Sequence, residues 1–389
     1  MLFCLIFKRV EYIIPHSGYR FEKVIKRECM GRILILLLSL LLPSLLMAAE
    51  PGMYVWNRQR SEALKKSVTD YHKSCSGKIY YLAGELENNG GTVRFALPSF
   101  ADPVRSVPVV RIHIVHMKKT VSALAVEIAE LYKPWSACGE LQIDLDAPES
   151  KISYYEELMI ELRKRLTGVK LSATVLPCHL RHTADFRKLA KACDYYVLQV
   201  HGLTRKKDGS WFILDETTAR TALFRADLLR LPYKVALPLY SNVVEHGKVV
   251  KPDLALVADL AHGREVIGFR LGAAGDPDAL DLESALTLCR GKCYTPSLPL
   301  RWEAQEGGVW HLFIGNKGFF SENITLELTW HKELVIMDQD TFNNAELSHD
   351  RKTLRLMLPP AGMEKPYLWI RCKGIDPVMT PPLTAKIKE

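Results

Sequence analysis

No glycine-rich phosphate loop follows an early strand, no repeat or low-complexity tract occurs, and Lys and Arg form no stripe or arm in these 389 residues. The first absence argues against a dinucleotide-binding sheet. The second argues against a solenoid or a disordered chain. The third argues against nucleic acid as a partner, although the formal net charge is +8. Nine cysteines are present, but with Cys4 and Cys29 in the N-terminal segment an odd number remains, scattered from Cys75 to Cys372, which is no disulfide framework. Only Cys289 and Cys293 stand close together, either as a bridge or as two unpaired buried thiols. A bridge there would close so small a loop that it would constrain the unfolded chain little.

Long apolar runs are also scarce. The single candidate, Arg32 to Met47, falls short of the roughly 20 residues a membrane span needs and contains Pro43. It follows a basic residue and ends at Ala48-Ala49-Glu50-Pro51, the pattern of a secretory signal cleaved after Ala48 or Ala49. A periplasmic or secreted protein with no stable membrane span after cleavage is expected. No cysteine stands at the cleavage point, so no lipid anchor is expected there. Residues 1–29 either precede a true start at Met30 or form an extended n-region carrying Lys23, Lys26 and Arg27.

What is present is a large stock of core residues, 48% hydrophobic against 25% charged. β-rich runs alternate with helical ones, the mark of parallel α/β architecture. Eight strands are predicted: Met53–Asn57, Lys78–Glu85, Val109–His116, Glu140–Leu145, Lys170–Leu176, Tyr195–Val200, Tyr233–Tyr240 and Glu265–Leu271. The clearest helices are Thr120–Tyr132, Ile152–Leu166, Thr183–Ala192 and Thr217–Leu229, with Thr183 and Thr217 as caps. Eight strand-helix steps over residues 50–296 predict a (β/α)8 barrel, with an open doubly wound sheet as the alternative. From residue 297 to 389 only short strands recur, Val309–Ile314, Ile324–Trp330, Thr353–Met357 and Tyr367–Cys372, which predicts a small sandwich-like β-domain.

Strand side chains alternate between faces, so Leu141, Ile143 and Leu145 should pack under the helices while Gln142, Asp144 and Asp146 face the axis. The same phase on neighbouring strands brings in Arg111 and His113, Ser172 and Thr174, and Gln199 and His201. A lining used only for packing would carry Val, Ile and Leu. These polar groups therefore predict a wet, hydrogen-bonded centre. Asp146, His201 and Tyr240 close their strands at the end where such barrels place active sites.

Two carboxyls beside Glu149 suit glycoside hydrolysis, in which one acid protonates the leaving oxygen and a second carboxylate assists at the sugar carbon. Asp144 and Asp146, two residues apart, lie about 6.7 Å apart at Cα, close enough for like charge to raise one proton affinity. The structural alternative has Asp144 bonded inside the barrel and Asp146 bracing the next loop. Glu149 could equally serve the helix dipole. Trp56, Trp211 and Tyr240 are candidate sugar platforms, with core packing as the alternative for each. His113, Gln142, Thr174, Gln199, His201 and Arg270 complete the candidate binding set. A metal set of Asp144, Asp146, His113 and His201, or the Cys178-His179-x-x-His182 run, lacks a compact ligand motif. No metal or cofactor is expected.

With these residues in hand, the chain resembles a bacterial family of uncharacterised secreted proteins, domain of unknown function 3142. The resemblance rests on Tyr54-Val-Trp56, Leu141-Gln-Ile-Asp-Leu-Asp-Ala-Pro148 with Tyr154-Tyr155, Leu171-Ser-Ala-Thr174, Leu198-Gln-Val-His-Gly-Leu203 and Leu237-Pro-Leu-Tyr240. The family supplies no established activity. Its fourth-strand motif is also similar to that of chitinase-type glycosidase barrels, where an Asp-x-Asp-x-Glu run ends the same strand. Here Glu149 stands three residues after Asp146, one place too far. Two functions are therefore expected in competition. One is an exported hydrolase of a cell-envelope or extracellular polysaccharide; the other is a non-catalytic barrel that binds a glycan or peptidoglycan strand.

Overall fold

A computed structural model of the chain describes residues 50–320, 324–330, 335–339, 346–350, 353–358, 368–373 and 383–388. The signal segment at 30–49 and the preceding residues 1–29 lie outside the described residues. No helix among those described is long and apolar enough to cross a membrane.

Eight parallel strands close on themselves: β1 (Gly52–Val55), β2 (Ile79–Leu86), β3 (Ser106–Ile112), β4 (Glu140–Leu145), β5 (Lys170–Val175), β6 (Tyr195–Gln199), β7 (Tyr233–Pro238) and β8 (Val266–Phe269). Each pairs with its successor, and β8 returns to β1, where Gly52 stands opposite Ile267. The fold is thus the (β/α)8 barrel, and the open sheet is excluded. Seven α-helices accompany it among the described residues: α1 (Glu62–Ser74), α2 (Val121–Tyr132), α3 (Ile152–Arg165), α4 (Thr183–Ala192), α5 (Glu216–Leu229), α6 (Leu254–Ala261) and α7 (Leu282–Cys289).

The expected eighth helix is missing between β2 and β3. That stretch, Glu87-Asn-Asn-Gly-Gly through Pro98 to Pro103, is rich in residues that break a helix. A short strand, Thr92–Arg94, instead runs antiparallel along β2. The two predicted threonine caps are also corrected. His182 precedes α4, and α5 is capped by Asp215, whose carboxylate accepts from Thr218 N, because a carboxylate two residues before Thr217 meets the free amides more directly.

The outer faces of the strands and the inner faces of the helices form one core, including Leu141, Ile143, Leu145, Tyr155, Leu158, Met159 and Leu162. Inside the barrel, Tyr54, Tyr80, Val107, Val109, Tyr195, Val197, Ala236 and Ile267 pack together. The interior is packed by rings and branched side chains, and several of its polar atoms pair with one another, while Gln142 Oε1 and Ser172 Oγ are buried without a partner among the described residues. Tyr195 Oη donates to Glu140 Oε1 at 2.6 Å, Tyr80 and Tyr195 hydroxyls meet at 3.0 Å, and Lys78 reaches Glu140 at 2.5 Å.

Beyond the barrel, two four-stranded sheets are built from antiparallel pairs, one containing Leu300–Ala304 and Val309–Ile314, the other Ile324–Trp330 and Thr353–Leu358. Cys289 is buried and Cys293 exposed, both as free thiols, so neither the bridge nor the buried pair is formed.

Candidate functional site in the barrel mouth

Strand phase places the site. In β4, Leu141, Ile143 and Leu145 enter the outer core as expected, which leaves Gln142 and Asp144 to the inside. Gln142 is fully buried, its Nε2 donating to Tyr54 Oη at 2.5 Å, so it forms part of the floor. One layer higher, Asp144 accepts from Thr174 Oγ1 at 2.7 Å. Burial and the neighbouring charge of Asp146 push the Asp144 carboxyl up to about 6, against the opposing pull of Thr174 and Arg111. Asp146 follows the strand and is exposed.

Register extends this row across the sheet. Asp144 lies opposite Arg111 on β3, and Arg111 lies opposite Glu85 on β2. Glu85 escaped the sequence reading for a definite reason. Tyr81 and Ala83 belong to the outer core, so strict alternation would send Glu85 outward as well. A register shift between Leu82 and Gly84 inserts one residue and turns Glu85 inward. Gly84 makes the shift possible, since a Cβ there would meet the Leu131 side chain at 2.9 Å. Glu85 is buried, with Arg58 Nε at 2.8 Å and Arg111 Nη1 at 3.6 Å. A glycine in the second half of a strand followed by a glutamate was the available signal.

The opposite side of the mouth is aromatic. Phe269, at the end of β8, touches Tyr54, Trp56, His201 and Tyr240 with ring centroids 5.1 to 5.5 Å apart. Trp56 follows β1 and meets Tyr54 edge-on. Tyr240 lies two residues past β7, where it bridges to Ala279. His201 is enclosed; burial pulls its imidazole down to about 3, so it is neutral. Its Nδ1 faces Tyr240 Oη at 3.4 Å. His201 Nε2, Trp211 Nε1 and Ser241 Oγ are buried without a hydrogen-bond partner among the described residues.

His201 opens a hairpin, His201–Arg205 with Trp211–Leu214, where a long loop was expected. Trp211 therefore sits on a strand, with Arg205 over its ring at 5.6 Å. Gln199 Nε2 donates to His201 O at 3.3 Å.

Three further candidates are engaged elsewhere, although Arg270 follows Phe269 and its charge acts on Tyr240. His113 falls beyond β3, which ends at Ile112, and its Nδ1 accepts from Val115 N at the head of a tight turn. Arg270 pairs with Asp276 at 2.9 Å. Glu149 is bonded by His182 Nε2 at 2.8 Å with Arg181 at 3.6 Å, and the His182 bond holds its carboxyl below the usual range. His179 is buried against Ala147 O. The metal alternatives are thus not assembled, and no described group of three or more His, Cys, Asp or Glu is arranged to hold an ion.

Residues 102–267 match the family described as Domain of unknown function (DUF3142). No curated protein matches the chain. Similar solved structures include a chitinase from Chromobacterium violaceum ATCC 12472, at 12% identity and a TM-score of 0.41, covering 63% of this chain and 99% of that one. A class V chitinase from Pseudomonas fluorescens Pf-5 has 11% identity and a TM-score of 0.44, covering 61% and 99%. Chitinase ChiA74 from Bacillus thuringiensis has 7% identity and a TM-score of 0.42, covering 88% and 100%. At this divergence the similarities say nothing about chemistry.

Proposed function

We propose that the barrel mouth is the reaction centre of an exported glycoside hydrolase acting on a cell-envelope or extracellular polysaccharide. The observation that carries the reading is Asp144, a carboxyl whose proton affinity is raised to about 6 at the C-terminal end of a barrel strand. An acid in that range keeps a working fraction protonated near neutrality and can pass that proton to a glycosidic oxygen. Asp146, whose charge helps to raise it, is the second carboxyl. Glu149 is the poorer acid, because its bond from His182 favours the ionised form.

The aromatic side suits a sugar ring. Trp56, Tyr240 and Phe269 offer apolar surface to a pyranose face, which suits a neutral ligand.

Hydrolysis of a panel of envelope and plant glycans tests the proposal. Turnover that is lost in Asp144→Asn supports it. Turnover unchanged in that variant, or none on any glycan, overturns it. Tight glycan binding without turnover would establish the non-catalytic alternative.

A further inference from the structure

Glu85 presents a buried carboxylate that the proposed reaction does not use. It shares a row with Arg111 and Asp144, and the order of charges along that row is acid, base, acid. The central guanidinium is drawn toward Glu85 Oε1 at 3.6 Å, while the hydrogen bond to Asp144 comes from Thr174. Arg58, from the loop after β1, holds the other oxygen of Glu85 at 2.8 Å. The side chain of Glu85 is 5% exposed, whereas those of Arg58 and Arg111 are 59% and 51% exposed. The fixed member of the cluster is therefore the carboxylate, and the two arginines fold over it. A buried acid held by two cations costs desolvation that an apolar residue would avoid. The bulge that aims it inward is a local irregularity of the kind concentrated beside active sites.

We propose that Glu85 is a positioning residue of the mouth: it holds Arg111 in a cross-strand ion pair and so keeps that arginine from pairing directly with Asp144. Without Glu85, the freed guanidinium would turn to the nearest remaining anion on its own row, which is Asp144. A paired Asp144 would stay ionised and could not deliver a proton. The other groups acting on Asp144 are Asp146 beyond its own strand, Thr174 on β5, Tyr155 on α3, and Tyr54 on β1 at the floor. Among the described residues no hydrogen bond or ion pair joins any of these to Glu85, so its removal acts through Arg111 and through the loss of its own like charge.

The inference rests on Asp144 as the proton carrier of the proposed hydrolase, but its test needs no substrate. The full chain is labelled with 13C at the aspartate side-chain carboxyls, and Asp144 is titrated by NMR, its resonance assigned by its loss in Asp144→Asn. In Glu85→Gln the midpoint is expected to fall by about one unit, a tenfold loss of proton affinity. In Arg111→Gln it is expected to rise. In the double variant it should return toward the parent value, a rescue that a merely structural role would not produce. A folded Glu85→Gln with the midpoint unmoved to within about 0.3 units overturns the inference. If Glu85→Gln does not fold, Arg111→Gln alone decides: a raised midpoint supports the coupling, and an unchanged one ends it. Absence of glycan turnover would overturn the hydrolase reading and leave this titration result standing.

Discussion

On one side of the mouth, Glu85, Arg111, Asp144 and Asp146 set ionisable groups in a row. On the other, Trp56, Phe269, Tyr240 and His201 set rings, and burial holds both titratable ones, Tyr240 and His201, neutral. Both sides belong to one barrel, and Tyr54 joins them from below, touching Phe269 with its ring and Gln142 with its hydroxyl. The charged side supplies a proton and the neutral side supplies a surface. The division separates what changes during a reaction from what holds a ligand still, and it can be broken from either side.

The largest effect should follow Asp144→Asn. Loss of a general acid commonly costs about 100- to 10,000-fold in rate, and the amide keeps the shape of the side chain. Turnover should fall by at least 100-fold while circular dichroism is unchanged. Tyr240→Phe, across the mouth, should leave kcat within a few-fold. If both variants lose kcat alike, the two sides do not divide the work.

Next come opposite pH dependences of stability. The unfolded Asp144 has an ordinary carboxyl, while the folded one titrates near 6. Between about pH 4 and 6 the folded chain thus holds the extra proton, and stability falls as pH rises through that window. Asp144→Asn should remove this slope and be more stable at pH 7, by about 2 kcal/mol. His201 acts in the other direction. Its folded value near 3 lies below the ordinary imidazole value, so the unfolded chain takes the extra proton as pH falls. Stability should drop between about pH 6.5 and 3, and His201→Phe should flatten that acid limb. Urea melts at half-unit pH steps would show both slopes.

A smaller effect is expected at Trp56→Ala. Removing one stacking ring should weaken glycan binding about tenfold and leave the Asp144 midpoint in place. Calorimetry reads the first and carboxyl NMR the second. A shifted midpoint would mean that the aromatic side also tunes the charged one.

How far these sides could be read from the sequence depended on regularity. The strands of the barrel were legible to within a few residues because period-two runs alternate with amphipathic helices throughout. Asp144, Trp56, Tyr240 and His201 were legible because they stand at or near the ends of their strands, whereas Phe269, which touches the other three rings, was passed over at the end of the apolar run Val266-Ile-Gly-Phe269. Glu85 was hidden by one inserted residue at the bulge, which reverses the side a strict alternation assigns. The hairpin carrying Trp211 was hidden because Arg205-Lys-Lys-Asp-Gly209 reads as loop, although an Asp-Gly pair between β-rich flanks is a hairpin signal. The missing helix after β2 shows that fold class predicts the average step and that Gly and Pro decide the particular one.

The smallest change should come from Glu149→Gln, and it bears most directly on where the proton comes from. Glu149 is the third carboxyl that the sequence offered as an acid. Its carboxylate is committed elsewhere. His182, at the start of α4, bonds one oxygen at 2.8 Å, and Arg181 lies 3.6 Å from the other. Both partners favour the ionised form, the opposite of what a proton donor needs. Glu149→Gln can still accept from His182, so turnover should change by less than about threefold and its pH profile should keep the limb set by Asp144. A loss comparable to that of Asp144→Asn would move the acid out to the loop after β4. The row from Glu85 to Asp144 would then be the support of the site and not its source of protons.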